Sequence, residues 1–274
     1  MEKSFEIRHP RVSEYESLKA LWQTAFDDKK ESLDFFFRNT VSPERVLAAF
    51  DAGEPVSVLY MLESEIEENE KTHSAYYIYA VCTHPKYRGM GLMKSLFNKL
   101  FMVAADRGVD YLFLVPEQEY LFGVYEKLGF KNGFYYSEKE VYKSDYEKLS
   151  SKNGELTYED YRKCVSVHKK NVPVATLCES TFNSFFNSQS GEVKTVFCEN
   201  EGYALFEETE NGIVIFELFG NEKLLLSKIF GATEKQSAIL RCVSDENPVP
   251  YGMYYILNGA PEIRNGFFGL PYSN

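Results

Sequence analysis

Residues 77–100 read YIYAVCTHPKYRGMGLMKSLFNKL, and this stretch decides the fold. Its first part, rich in Tyr, Ile, Ala and Val, has the β-branched and aromatic character of a strand. Thr83-His84-Pro85 ends it, and a basic, glycine-bearing turn follows, Lys86-Tyr87-Arg88-Gly89-Met90-Gly91. Then Leu92, Met93, Leu96, Phe97, Leu100 and Phe101 fall at helical spacing. A strand, a short loop and a helix start bring unpaired N–H groups and the positive end of the helix dipole to one point. That geometry suits a phosphate or pyrophosphate. Gly89 and Gly91 let the backbone approach an anion without interference from a Cβ, and Arg88 adds charge. The N–H groups from Met90 through Leu92 and Met93 to Lys94 can point at it.

Three phosphate-binding loops compete for RGMGLMKS. A Walker A loop needs Gly directly before its Lys-[Ser/Thr], but Lys94-Ser95 follows Met93, so that reading fails. A GxGxxG dinucleotide fingerprint is met at Gly89 and Gly91 and missed at Lys94. The acyl-CoA loop, [Gln/Arg]-x-x-Gly-x-[Gly/Ala], is matched from Arg88 to Leu92 and departs only at Met93.

A second motif lies downstream. Residues 113–130, FLVPEQEYLFGVYEKLGF, read as a buried strand followed by a helix that carries Tyr125 and ends in Gly129-Phe130. Together, AVCTHPKYRGMGLM and FLVPEQEYLFGVYEKLGF resemble the two motifs of the GNAT superfamily of N-acetyltransferases, at the family's spacing. The resemblance covers residues 5–142, one full acetyltransferase domain. It implies an α/β (α+β) fold, a mixed, mostly antiparallel twisted sheet flanked by helices. It also implies acetyl-CoA as cosubstrate and direct acetyl transfer to an amine. By the same resemblance Ala80, Val81 and Cys82 present backbone N–H groups to the pantetheine arm and the thioester carbonyl. Tyr125 occupies the general-acid position, since a phenol stays protonated at neutral pH; the competing reading is a core aromatic at helical spacing with Leu121, Phe122 and Leu128. Candidates for the base are Glu63, Tyr77, Tyr79 and His84. Glu63 is the best carboxylate, because its strand should lie beside the one that carries Tyr79.

The rest of the chain bounds these readings. Its 274 residues favour two domains, and 44% hydrophobic against 26% charged residues indicate a globular protein. A net charge of −11 argues against nucleic acid as partner. No apolar run reaches bilayer length and the first residues lack a signal-peptide core, so no membrane partner and a cytoplasmic location are expected. The five cysteines, Cys82, Cys164, Cys178, Cys198 and Cys242, are scattered without a CxxC pair. They read as small buried hydrophobes in a reducing compartment, and no metal site is expected.

Along the first half, Ser13 and Glu16 form a capping-box signature before a helix containing Leu18, Leu21 and Trp22, with a second short helix from Ser32 to Arg38. A hairpin joins 45–50 to 55–66, and the run Glu63, Glu65, Glu67, Glu68 and Glu70 reads as its solvated end, which could draw in a cation. Residues 143–155 lose hydrophobic periodicity and read as a linker, giving a catalytic domain over 1–145 and a smaller α/β domain over 155–274. Within the latter, GYALFEETENGIVIFELFGNEKLLLSKIFG (202–231) more weakly resembles the hairpin and helix of the reduced second domain in tandem GNAT proteins. It lacks an arginine-glycine turn, so it should not bind CoA. Its expected work is to wall the cleft for a small-molecule amine or peptide acceptor, or to form a homodimer contact. The aromatic tail toward Tyr272 and Asn274 could lie near the active site, as the terminus does in the larger relatives. The alternative to a transferase is a CoA-binding regulator or pseudoenzyme that transfers nothing.

Overall fold

Alternation of strand and helix periods along the first half builds one face of a twisted sheet against two helices. In this computed structural model, residues 4–26, 28–69, 71–147, 149, 154–186, 193–243 and 248–269 are described. The first half runs β1 (Glu6–Arg8), α1 (Tyr15–Trp22), α2 (Lys30–Asn39), β2 (Val46–Asp51), β3 (Glu54–Glu68), β4 (Lys71–Thr83), α3 (Leu92–Asp106), β5 (Tyr111–Leu114), α4 (Glu119–Glu126) and β6 (Lys131–Tyr142). The second half adds α5 (Tyr158–His168), β7 (Val174–Leu177), α6 (Glu179–Phe186), β8 (Val193–Cys198), β9 (Gly202–Thr209), β10 (Gly212–Gly220), α7 (Glu222–Gly231), β11 (Ser237–Cys242) and β12 (Val249–Ile256).

The strands form a continuous mixed sheet in the order β1-β2-β3-β4-β5-β12-β6-β11-β10-β9-β8, with β7 on β3. Only the β4–β5 and β10–β11 pairs are parallel; each is joined by a helix, α3 and α7, as a parallel crossover requires. The boundary expected at residues 145–155 is crossed twice by this sheet. β12 lies between β5 and β6, and β7 extends β3 through Ser64–Glu67. Neither strand was expected from the sequence. β7 is only four residues long, and β12 begins Val249-Pro250 and is broken by register shifts around Gly252.

The apolar stripe of α3 (Leu92, Leu96, Phe97, Leu100) packs on Leu59, Met61, Ile78 and Leu112, with Tyr125 and Phe130 closing that layer. On the opposite sheet face, one core joins both halves: Leu62, Tyr77 and Phe113 pack with Tyr161, Phe182, Tyr203 and Phe268. Burial of this many large side chains, at roughly 1.5–3 kcal/mol each, ties the two halves together far more strongly than a linker would. A smaller core around α7 is built mostly from the second half, with Val141 of β6 joining it.

Two local expectations change. α1 is entered through Glu14, whose carboxylate accepts from the Arg11 N–H (2.6 Å) and pairs with Arg8 (2.7 Å), in place of a Ser13–Glu16 box. The glutamate run on β3 is bridged instead of solvated. Arg162 of α5 pairs with Glu65 (2.5 Å) and Glu67 (2.9 Å), and Lys169 reaches Glu67 (3.4 Å), because β7 and α5 pack along that end of the strand. Glu70, Tyr272 and Asn274 lie outside the described residues. All five cysteines are free thiols.

Candidate active site

β4 and β5 pair only from Ala75 with Tyr111 to Tyr77 with Phe113. Beyond that point the strands separate, and the gap opens at their C-terminal ends. A bulge sharpens the opening: Val58 pairs with Cys82 and Tyr60 with Tyr79, so Ala80 and Val81 of β4 face the single Leu59. Ala80 takes a left-handed backbone (φ 47°), which costs an L-residue about 1–2 kcal/mol and re-aims the peptide groups around it. Backbone strain of this kind clusters at active sites and ligand clamps in proteins generally.

The cleft holds a cavity of about 80 Å³. Tyr77 to Val81 form one side, Leu114, Val115 and Glu117 another, and Leu121 and Tyr125 of α4 a third; Trp22 and Phe26 close it from the α1 side. Tyr125 is only 7% exposed and is held by Phe97 and Phe130 at centroid distances of 5.8 and 6.0 Å. Burial, and less strongly the neighbouring Tyr120 and Glu117, push its phenol up to about 12, so it is protonated at neutral pH. Trp22 packs on Tyr79 (5.7 Å) and donates through Nε1 to Asp28 (2.6 Å), which fixes the aromatic wall.

Beyond the end of β4 lies the glycine turn. Gly89 (φ 77°) and Gly91 (φ 76°) are both left-handed, and a Cβ at either would meet nothing within 4 Å. The glycines therefore serve conformation and leave open space above the backbone. Gly91 is the N-cap of α3 and contributes no side-chain cap, so the first N–H groups of the helix face that space. The turn is pinned from behind. His84 Nδ1 accepts from the Lys86 N–H (3.2 Å), Tyr87 donates to Asp51 (2.6 Å), and Arg88 Nε donates to the Thr83 carbonyl (3.3 Å).

The structure brings some of the sequence-predicted residues together and separates others. Ala80, Val81 and Tyr125 share the cavity. Arg88, Gly89, Met90, Gly91 and Lys94 are exposed and do not line the cavity, and Leu92 is buried as the first anchor of α3. Met93 packs against the α3 core, so the one departure from the loop pattern turns toward the sheet. Cys82 points to the opposite layer, among Trp22, Val58 and Tyr60, and burial raises its thiol to about 12. Tyr77 and Tyr79 line the cavity, and burial drives the Tyr79 phenol above its ordinary value, the wrong direction for a base. His84 is a turn cap.

Glu63 is elsewhere. It stands opposite Tyr76 in the β3–β4 ladder and pairs with Arg45 (2.7 Å), while its carbonyl accepts from Thr181 Oγ1 (3.0 Å). Its carboxylate belongs to the joint between β3 and α6. The carboxylate that does line the cavity is Glu117, at the turn into α4. Sequence reading passed over Glu117, Trp22 and Phe26. The first was legible as the acid in Val115-Pro116-Glu117 at a strand end; the aromatics looked like any helix core. Among the described residues no cluster of His, Cys, Asp and Glu could hold a metal ion, and no helix is long and apolar enough to cross a membrane.

A strand–glycine turn–helix with splayed parallel strands and a buried tyrosine across the gap is the architecture of an acetyltransferase domain. Residues 6–133 match the acetyltransferase (GNAT) domain family, so this part of the chain is similar to the GNAT N-acetyltransferases. Similar solved structures include a GCN5-related N-acetyltransferase from Kribbella flavida (14% identity, TM-score 0.77, 94% of this chain and 72% of that one). A conserved protein of unknown function from Enterococcus faecalis V583, a probable N-acyltransferase, aligns with TM-score 0.74 at 14% identity over 93% and 72% of the two chains. Eis1 from Mycobacterium abscessus gives TM-score 0.68 at 11% identity over 93% and 74%. At these identities the likeness is one of fold, and it spans both halves of the chain. No curated protein matches it.

Proposed function

We propose that this protein transfers an acetyl group from acetyl-CoA to an amine of a small molecule or peptide. The observation that carries the reading is the β4–β5 gap, with Tyr125 inside it and β4 leading on to the capless N-terminus of α3. The pyrophosphate would lie on the N–H groups from Met90 to Lys94 with Arg88 beside it, and the pantetheine arm would run between the splayed strands. N–H groups at the Ala80–Val81 bulge would polarise the thioester carbonyl. The amine nitrogen then bonds to the carbonyl carbon, the carbon–sulfur bond breaks, and the departing thiolate takes the Tyr125 phenol proton. The proton lost by the nitrogen returns to the tyrosine, so no tyrosinate accumulates. Glu117 replaces Glu63 as the carboxylate facing the incoming amine. The second half walls the acceptor side, as in tandem GNAT proteins with a reduced second domain, and the setting is cytoplasmic.

Thiol release from acetyl-CoA tests this against a panel of polyamines, aminoglycosides, amino acids and peptide N-termini. Acceptor-dependent release is expected, and Tyr125→Phe should lower it by about tenfold or more, on the scale of a lost general acid. Tight CoA binding without release for any acceptor would make the protein a CoA-binding regulator instead.

A further inference from the structure

A second depression adjoins the transfer cavity and shares Val115 and Glu117 with it. It has a volume of about 660 Å³ and runs from the β5–α4 turn to β6, β11 and the start of β12. Its wall is mostly apolar or aromatic, with Phe122, Tyr136, Pro250 and Tyr251. Its charged groups are Glu117 and Glu119 at the end nearer the transfer cavity and Arg241 on β11.

Arg241 is held mainly by aromatic rings. Its guanidinium carbon lies 4.6 Å from the ring centre of Tyr136, 5.4 Å from Phe216 and 5.9 Å from Tyr251. Its side chain is 21% exposed, and its Nε is buried without a hydrogen-bond partner among the described residues. Among the described residues its ion-pair partner is Glu138, directly across the β6–β11 ladder, but Oε1 stands 3.5 Å from Nε, too far for a well-formed charge-assisted bond. Aromatic rings stacked on a guanidinium fix its plane and leave its edge donors free, the geometry that grips a carboxylate bidentately.

We propose that this groove anchors the acceptor, with Arg241 binding the carboxylate of an amino-acid-like substrate while Glu117 receives its ammonium beside the transfer cavity. The inference rests on the transferase reading and names its substrate class. One arginine and two glutamates in the same lining complement a molecule that carries both a carboxylate and an ammonium, whereas a dianionic phosphate would meet net repulsion. Recognition by a bidentate pair also separates an acid from its own amide, because the amide leaves the guanidinium half paired.

The test is direct binding to the full chain saturated with CoA. Probes are amino acids bearing the amine at the α, β, γ or ω carbon, each alongside its carboxamide. At least one acid should bind about tenfold or more tightly than its amide, the difference expected for a charge-assisted pair. Arg241→Gln should abolish that preference with CoA affinity unchanged, and Arg241→Lys should keep part of it. Equal binding of acid and amide, or no binding by any acid, overturns the anchor; the wild-type comparison decides this even if the variants fold poorly. Thiol release separates the two readings. Release with amines irrespective of a carboxylate keeps the transferase and removes the anchor, while acid-selective binding without release does the reverse.

Discussion

The chain contains two strand–helix–strand crossovers of the same plan, and they differ where a ligand would enter. In the first, β4 leads through the glycine turn into α3 and back to β5; in the second, β10 leads through Asn221 into α7 and back to β11. Each long strand carries an extra residue in a bulge, Ala80–Val81 on β4 and Phe216 on β10. In the first unit the bulge opens onto a cavity. In the second the space beside it is taken by Glu217, fully buried and accepting from Tyr203 (2.9 Å). α3 begins at a glycine with no side-chain cap, whereas the Asn221 side chain accepts from the Leu224 N–H (3.2 Å) and closes the start of α7. Gly202 and Gly220 pack backbone to backbone at that point, a contact that any Cβ would block. The same supersecondary unit thus leaves its helix start open when it is uncapped and becomes a piece of core when it is capped.

Converting the first unit into the second should have the largest effect. Gly91→Asp places a capping carboxylate at the N-terminus of α3, where it would accept the helix N–H groups and repel a pyrophosphate. Aspartate tolerates the left-handed backbone at a cost of about 1 kcal/mol, and nothing within 4 Å obstructs its Cβ. Loss of two charge-assisted hydrogen bonds at about 2 kcal/mol each predicts a fall in acetyl-CoA affinity on the order of 1000-fold. Calorimetric titration reads this, with a thermal melt to verify folding. Affinity within tenfold of wild type would mean that the pyrophosphate lies elsewhere.

The first unit was legible in the sequence because its chemistry is backbone chemistry. Gly89, Gly91, the helical stripe from Leu92 and the tyrosine of the second motif are local signals, and each sits where its spacing placed it. Glu63 was placed one strand from Tyr79 correctly, yet facing matters as much as adjacency. Opposite residues in an antiparallel ladder share a face, so Glu63 lies with Tyr76 and not with Tyr79. The bulge at Ala80 was invisible, since no residue type announces it. β7 and β12 were missed for a different reason. Their partners lie more than a hundred residues away, so no local pattern reports the pairing. Arg241 became a groove residue only through that same long-range closure.

Glu217 supplies the next comparison. Burial raises its carboxyl to about 8, against the opposing effect of the Tyr203 hydrogen bond, and its Oε1 has no partner. A group that binds its proton more tightly in the folded state contributes full stability below its unfolded value near 4.5. That contribution declines as pH rises and is lost through about 8. Wild-type stability should therefore fall between those limits by an amount on the order of 5 kcal/mol. Glu217→Gln keeps the shape and cannot ionise, so its unfolding free energy should lack this decline and overtake wild type at alkaline pH. Denaturant unfolding at pH 5 and pH 9 measures the difference. Parallel pH profiles for the two proteins would show that the carboxyl is solvated or paired in a way that its surroundings do not suggest.

Asn221→Ala sharpens the contrast with the smallest effect. It removes the α7 cap and the bond from Asn221 Nδ2 to Glu201 (2.9 Å), which predicts a stability loss of about 1 kcal/mol and a melting shift of about 2–4 °C. Asn221→Asp should retain most of the stability, because aspartate caps equally well. Neither change should alter acetyl-CoA affinity, since α7 is buried around its own core and its start offers no bare N–H groups to an anion. That independence is informative because the core shared by the two halves could transmit a shift from one to the other. A tenfold change in acetyl-CoA affinity from Asn221→Ala would show that capping the second unit helps to set the opening of the first. The two crossovers would then be one coupled device.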